Sequence, residues 1–240
     1  LKLNGISVLR LVFAALLVLL AAPAGALGPV MGPIPGTPGV PPSGALNFTV
    51  RKSGADIGEY AVRFAERDGA LVVDIEANIR VRFAFVTVYR YTQRTREIWR
   101  DGTLQSLDSD VDDNGTPYKI SAAQRDGRLV VDGHTEQLDL APGALPLSYW
   151  NYRLMRESRA FDLQWGSLAD IEVAARGPET RAVGGAVVPA RRYNMKGFEI
   201  KRGERQEKPW LDVDTWYAPD GRLIGMSFHY RGFDFDYVLQ

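Results

Sequence analysis

Cysteine is absent from this chain, which removes disulfides, thiolate nucleophiles and cysteine metal ligands at once. Histidine, the usual proton carrier near neutral pH, is nearly absent: His134 follows Gly133 in a turn signal, and His229 sits between Phe228 and Tyr230. No H-E-x-x-H, G-x-S-x-G or phosphate-loop pattern accompanies either. A surplus of positive charge is missing too. Lys and Arg number 29 against 29 Asp and Glu in 240 residues, so the chain lacks the basic excess of a nucleic-acid binder. Long apolar runs are also lacking, since residues 11–22 fall short of the ~20 that span a bilayer as a helix.

That short run has a recognisable setting. Lys2 and Arg10 precede its end and Ala24-Gly25-Ala26 follows it, the charged, hydrophobic and cleavage regions of a secretory signal peptide. The expectation is an exported protein, periplasmic or secreted, cleaved near Ala26 and at most peripheral to a membrane. Residues 27–44 hold so much proline and glycine that they read as a linker. A single β-rich domain is expected over 45–240, because all-β domains often run to ~200–250 residues.

The stretch that sets the fold class is residues 71–99. From Leu71 to Tyr91 every odd position except Thr87 is apolar or aromatic, while Asp74, Glu76, Asn78, Arg80, Arg82 and Arg90 occupy even ones. A period of two is the signature of a strand with one oily and one wet face. Unbroken, the stretch would run ~95 Å at ~3.3 Å per residue, so it must bend. Residues 83–88, apolar on both faces, are expected to carry the bend through the middle of the structure. Asp-Gly, Asn-Gly or Gly-Gly turns at 68–69, 101–102, 114–115, 126–127, 184–185 and 220–221 predict a meander of hairpins. One segment departs from the pattern: after Pro146, Ser148 is placed to cap a short helix over 149–157. The fold expected is mainly β, a single strongly curved antiparallel sheet or half-open β-barrel with one short helix.

Three motifs carry a resemblance. Leu145-Pro146-Leu147-Ser148-Tyr149-Trp150-Asn151, the E-x-x-A-V-G-G-x-x-V-x-A-R-R-Y of residues 179–193, and the D-x-W-Y-x-x-D-G-R-L of residues 214–223 follow the leader in order. The arrangement resembles a family of exported bacterial proteins of unknown function, itself similar to β-rich envelope domains whose best-understood relatives carry outer-membrane lipoproteins. The resemblance implies a curved sheet around an apolar interior. It brings no catalytic set.

Four groups of side chains are candidates for function. Ser148 with a histidine is disfavoured as a nucleophile, since a helix cap accounts for it. Asp212 and Asp214, or Asp234 and Asp236, could act as a carboxylate pair on an envelope polymer, although period-two acids usually mark a wet face. Arg80, Arg82, Arg90, Arg94 and Arg96 share even parity and could meet an anionic partner, or pair across strands with acids such as Glu59, Asp108 and Asp110. Tyr89, Tyr91, Trp99, Tyr149, Trp150 and Trp216 suit the mouth of a ligand cavity, with Trp150 as its lid. The function expected is therefore non-enzymatic: binding of an apolar or lipid-like ligand or an envelope protein partner, without cofactor, metal or nucleic acid. The alternative is a carboxylate-dependent hydrolase.

Overall fold

A computed structural model describes residues 38–240 apart from Arg202 and Arg231; the leader and the first part of the linker lie outside the described residues. Fifteen strands follow one another: β1 (Ala45–Lys52), β2 (Ala55–Arg67), β3 (Ala70–Phe83), β4 (Val86–Arg100), β5 (Thr103–Asp113), β6 (Thr116–Arg125), β7 (Arg128–Asp132), β8 (Gln137–Leu140), β9 (Arg159–Phe161), β10 (Leu168–Val183), β11 (Ala186–Lys201), β12 (Glu204–Arg205), β13 (Leu211–Tyr217), β14 (Leu223–Tyr230) and β15 (Phe233–Leu239). They form one antiparallel sheet in the order β8-β7-β6-β5-β4-β3-β2-β1-β15-β14-β13-β11-β10-β9, with β12 attached to β11 alone. The sheet curls around its apolar face without closing. Asp68, Asp101, Asn114 and Asp126 take positive φ immediately before a glycine, so each expected turn of this type reverses the chain where it was read.

Two close approaches set the curvature. A Cβ on Gly58 would lie 1.7 Å from the Asn78 carbonyl oxygen, so only glycine lets β2 cross β3 at its last paired residue. Gly133 and Gly166 touch backbone to backbone, and the His134 N–H donates to the Trp165 carbonyl at 2.8 Å. This contact links the β7–β8 turn to the β9–β10 turn and bridges the open sides of the sheet.

The interior is filled from within as well as from the wall. Ile75, Ile79 and Tyr91 are fully enclosed, together with Phe48, Val62, Val131 and Leu223 from other strands. Residues 141–158 leave β8 and pass through the barrel as a strap, burying Leu145, Leu147, Trp150 and Leu154. Residues 38–44 are also seated: the Gly39 N–H donates to the Asp220 carbonyl, and Gly44 accepts from Phe64.

Two expectations require correction. Residues 83–88 are not a bend through the middle of the structure but the exposed tip of the hairpin between β3 and β4; Phe83 is 77% exposed because the ladders to β2 and β5 end before it. The helix is a 3₁₀ turn, Tyr152–Arg156, capped by Asn151, whose side chain accepts from the Arg153 N–H at 3.2 Å. Residues 168–183 form one long strand with a bulge near Gly177.

Candidate functional site

The continuing parity of β4 builds an unexpected interior. Gln93, Thr95 and Glu97 face inward in line with Tyr91 and Trp99, and all are buried. A chain of hydrogen bonds satisfies them: Gln93 Nε2 donates to Thr95 Oγ1 at 2.7 Å, and Thr95 Oγ1 bonds Ser109 Oγ at 2.7 Å. Glu97 accepts from Trp99 Nε1 at 2.8 Å, from Trp150 Nε1 at 3.0 Å and from the Ser148 hydroxyl. Burial pushes the Glu97 carboxyl above its ordinary range, and the three donors pull it back. A buried carboxyl held by three neutral donors, two of them from the strap residues Ser148 and Trp150, fastens the strap to the wall.

A cleft of about 80 Å³ lies between the strap and the opposite wall. Leu147, Leu163, Leu211, Val213, Met226 and Phe228 form its buried floor, with Tyr149 and Tyr237 at its depth. Burial raises both tyrosine hydroxyls well above the usual range, so they remain protonated. The rim is partly exposed and carries Gln164, Trp165, Ser167, Glu199 and Trp210. Asp162 shapes that rim by accepting from the N–H groups of Gln164, Trp165 and Ser167 at 2.6–3.0 Å. By register the rim sits at the end of the strands where the β1–β2, β3–β4, β5–β6 and β7–β8 turns gather.

The expected ligand aromatics do not share this cleft. Of the six, only Tyr149 lines it. Trp150 packs edge-on against Trp99 and Phe64, an interior anchor where a lid was expected. Tyr91 is enclosed, and Tyr89 donates to Asp113 at 2.6 Å. Trp216 faces the other way: outside the barrel it lies under Arg181 at 3.9 Å and Arg192 at 5.3 Å, its Nε1 donating to Glu179. The cleft residues that were missed, Met226, Phe228, Val213 and Trp210, are ordinary inward positions whose convergence no local pattern announces.

The arginines divide. Arg96 forms a two-pronged pair with Asp74 and Arg90 pairs with Asp112 at 2.9 Å, both across strands. Arg80, Arg82 and Arg94 have no carboxylate within ion-pair distance among the described residues. Asp212 and Asp214 face outward, bonded to Asn194 and Arg192 respectively. His229 pairs with Asp234 at 2.7 Å, and His134 packs on Tyr118 and Trp165. Among the described residues no three carboxylate or histidine groups cluster as a metal site would, and no helix is long and apolar enough to cross a membrane.

A family model described as a domain of unknown function, DUF6134, matches residues 48–240. The chain belongs to this family. Its fold is similar to that of a solved β-barrel-like protein of another domain of unknown function, DUF1849, from Brucella abortus, at TM-score 0.57 and 14% identity over 82% of this chain and 94% of that one. That likeness supports the barrel-like description of DUF6134 and nothing about activity. No curated protein matches the chain.

Proposed function

We propose that this DUF6134 protein is an exported envelope protein that holds a slim apolar or amphipathic molecule, such as an acyl chain, in the cleft between its strap and its wall. The observation that carries the reading is the cleft itself, with an oily floor of six aliphatic and aromatic residues and a rim of amide, hydroxyl, carboxylate and indole groups. An apolar tail buried on the floor gains ~0.8 kcal/mol per methylene, while a polar head reaches the rim. At about 80 Å³ the space is well below the ~300–1,000 Å³ typical of drug-sized ligands, so it takes only a short apolar segment and the rest of the molecule lies along the open rim. The leader-like start supports export. The outward, already bonded Asp212 and Asp214 give a hydrolase no converging pair.

Native mass spectrometry of the protein isolated from its own periplasm or medium tests this. The expected spectrum contains a bound species of lipid mass, lost in Met226→Trp, which fills the cleft floor, while far-ultraviolet circular dichroism stays unchanged. A spectrum of bare protein, or a lipid retained by folded Met226→Trp, overturns the reading.

A further inference from the structure

The β3–β4 hairpin outruns its pairing with both neighbouring strands. Its last pair with β2 is Ile79 opposite Gly58, its last with β5 is Tyr91 opposite Asp113, and Asn114 still bonds the backbone of Arg90. Past that point the hairpin pairs only with itself, from Val81 opposite Tyr89 to Phe83 opposite Val86. At ~3.3 Å per residue the tip stands on the order of 10 Å beyond its last pairs with β2 and β5.

Its composition is the reverse of what a projecting turn needs for folding. The other tight hairpins reverse at a residue pair containing glycine, whereas this one reverses at Ala84-Phe85, with Ala84 forced to φ 51°. Phe85 is 103% exposed, Phe83 77%, Val86 64% and Val88 52%, so the rings touch almost nothing. Below the apex, residues 77–96 carry five arginines and no acid. Two of them are used in cross-strand pairs, but Arg80 and Arg82, nearest the tip, have no carboxylate partner among the described residues.

We propose that this tip is a membrane-docking element for an anionic leaflet. Phe83 and Phe85 enter the boundary between head groups and acyl chains, a region reached by ~5–10 Å of insertion, which matches the height of the tip. Arg80 and Arg82 then lie at the level of the lipid phosphates, their aliphatic stems covering the strands behind the phenyl rings. A convex apolar point ringed by cations suits a yielding surface of negative head groups; a protein partner would need a groove about as deep as the tip is tall. The proposal stands on the hairpin alone and does not need the cleft to be occupied. It does place the cleft rim, at the same end of the strands, toward the bilayer.

The test exploits the absence of cysteine. Ala84→Cys in the full chain, labelled with an environment-sensitive nitrobenzoxadiazole dye, is mixed with vesicles of equal parts phosphatidylglycerol and phosphatidylcholine, or of phosphatidylcholine alone. Val187→Cys, exposed at the tip of the β10–β11 hairpin at the opposite end, is the control. The expected result is a blue shift and protection from an aqueous quencher at position 84 only, on the anionic vesicles. Partitioning weakens roughly tenfold for each phenyl ring lost in Phe83→Ser and Phe85→Ser. It weakens about fivefold for Arg80→Gln or Arg82→Gln. A dye that stays in water on anionic vesicles overturns the proposal. So does equal burial at position 187, or burial that needs only a higher protein concentration, which would make the occupant a second copy of the chain.

Discussion

Two long hairpins leave this barrel at opposite ends, and they are held by opposite means. The β10–β11 hairpin is tied down from outside: the Arg181 guanidinium lies on Trp216 and against Gly225, and Glu179 takes both the Trp216 indole N–H and Arg192. The β3–β4 hairpin is tied down from inside and only at its root, where Glu97 joins the strap, while its tip is bare. A long hairpin in this fold can therefore be folded back over the wall by charged and aromatic contacts. The one that is not has kept its apolar residues at the point farthest from the core.

Removing the inner fastening should have the largest effect. Glu97→Ala leaves two indole N–H groups and a hydroxyl buried without an acceptor and opens a cavity among them, so we expect a loss of roughly 3–5 kcal/mol in denaturant unfolding. Glu97→Gln keeps the oxygen and lets Ser148 accept from the new amide, and it separates charge from shape. The Glu97 pKa is raised in the fold above its ordinary 4.5, so the wild type is favoured most below that value and loses stability as pH rises through the folded pKa. Asp113, also raised by burial, acts in the same direction in both proteins. The wild type minus Glu97→Gln difference should therefore shrink or reverse between about pH 4 and neutrality. A pH-independent difference would mean that Glu97 does not titrate in that window.

Removing the outer fastening should cost somewhat less and act elsewhere. Trp216→Ala strips the ring from beneath two guanidinium groups and should lower stability by about 3 kcal/mol. Amide exchange should speed up across residues 176–190 and leave residues 80–90 unchanged. Equal acceleration of both hairpins would show that they are not held independently.

Much of this was legible in the sequence, and the failures share a cause. Period two and glycine turns are local, so they located the strands, six reversals and the inward positions Ile75 and Ile79. The Ala84-Phe85 turn has no glycine, and an apolar run on both faces looks the same in a buried crossing as at an exposed tip. Only the lengths of the neighbouring strands decide between them. Parity did contain the polar interior: carried past Tyr91, it places Gln93, Thr95 and Glu97 inward, because the bulge between Val81 and Arg82 and their partners restores the register after the tip. The cleft was not legible. Its floor comes from β13, β14 and a strap some 60 residues earlier, and which inward residues converge depends on how far the sheet curls. Ser148 was read as a cap because its neighbours are local, whereas its actual partner lies 51 residues away.

Smaller effects sharpen the contrast at the hairpin's outer face. Arg96→Ala breaks an exposed cross-strand pair with Asp74, and the loss should be about 0.5 kcal/mol and fall further at high salt. The combined variant Phe83→Ser with Phe85→Ser should change stability least, within about 0.5 kcal/mol, because neither ring is removed from water by the fold. Two phenylalanines lost from the barrel interior would cost several times that each. The comparison is made by urea unfolding of the variant against the wild type. A near-zero change means that the fold does not use these rings, as a docking role outside the barrel requires. A loss above about 1 kcal/mol would mean instead that the tip packs within the protein, and the difference between the two hairpins would disappear.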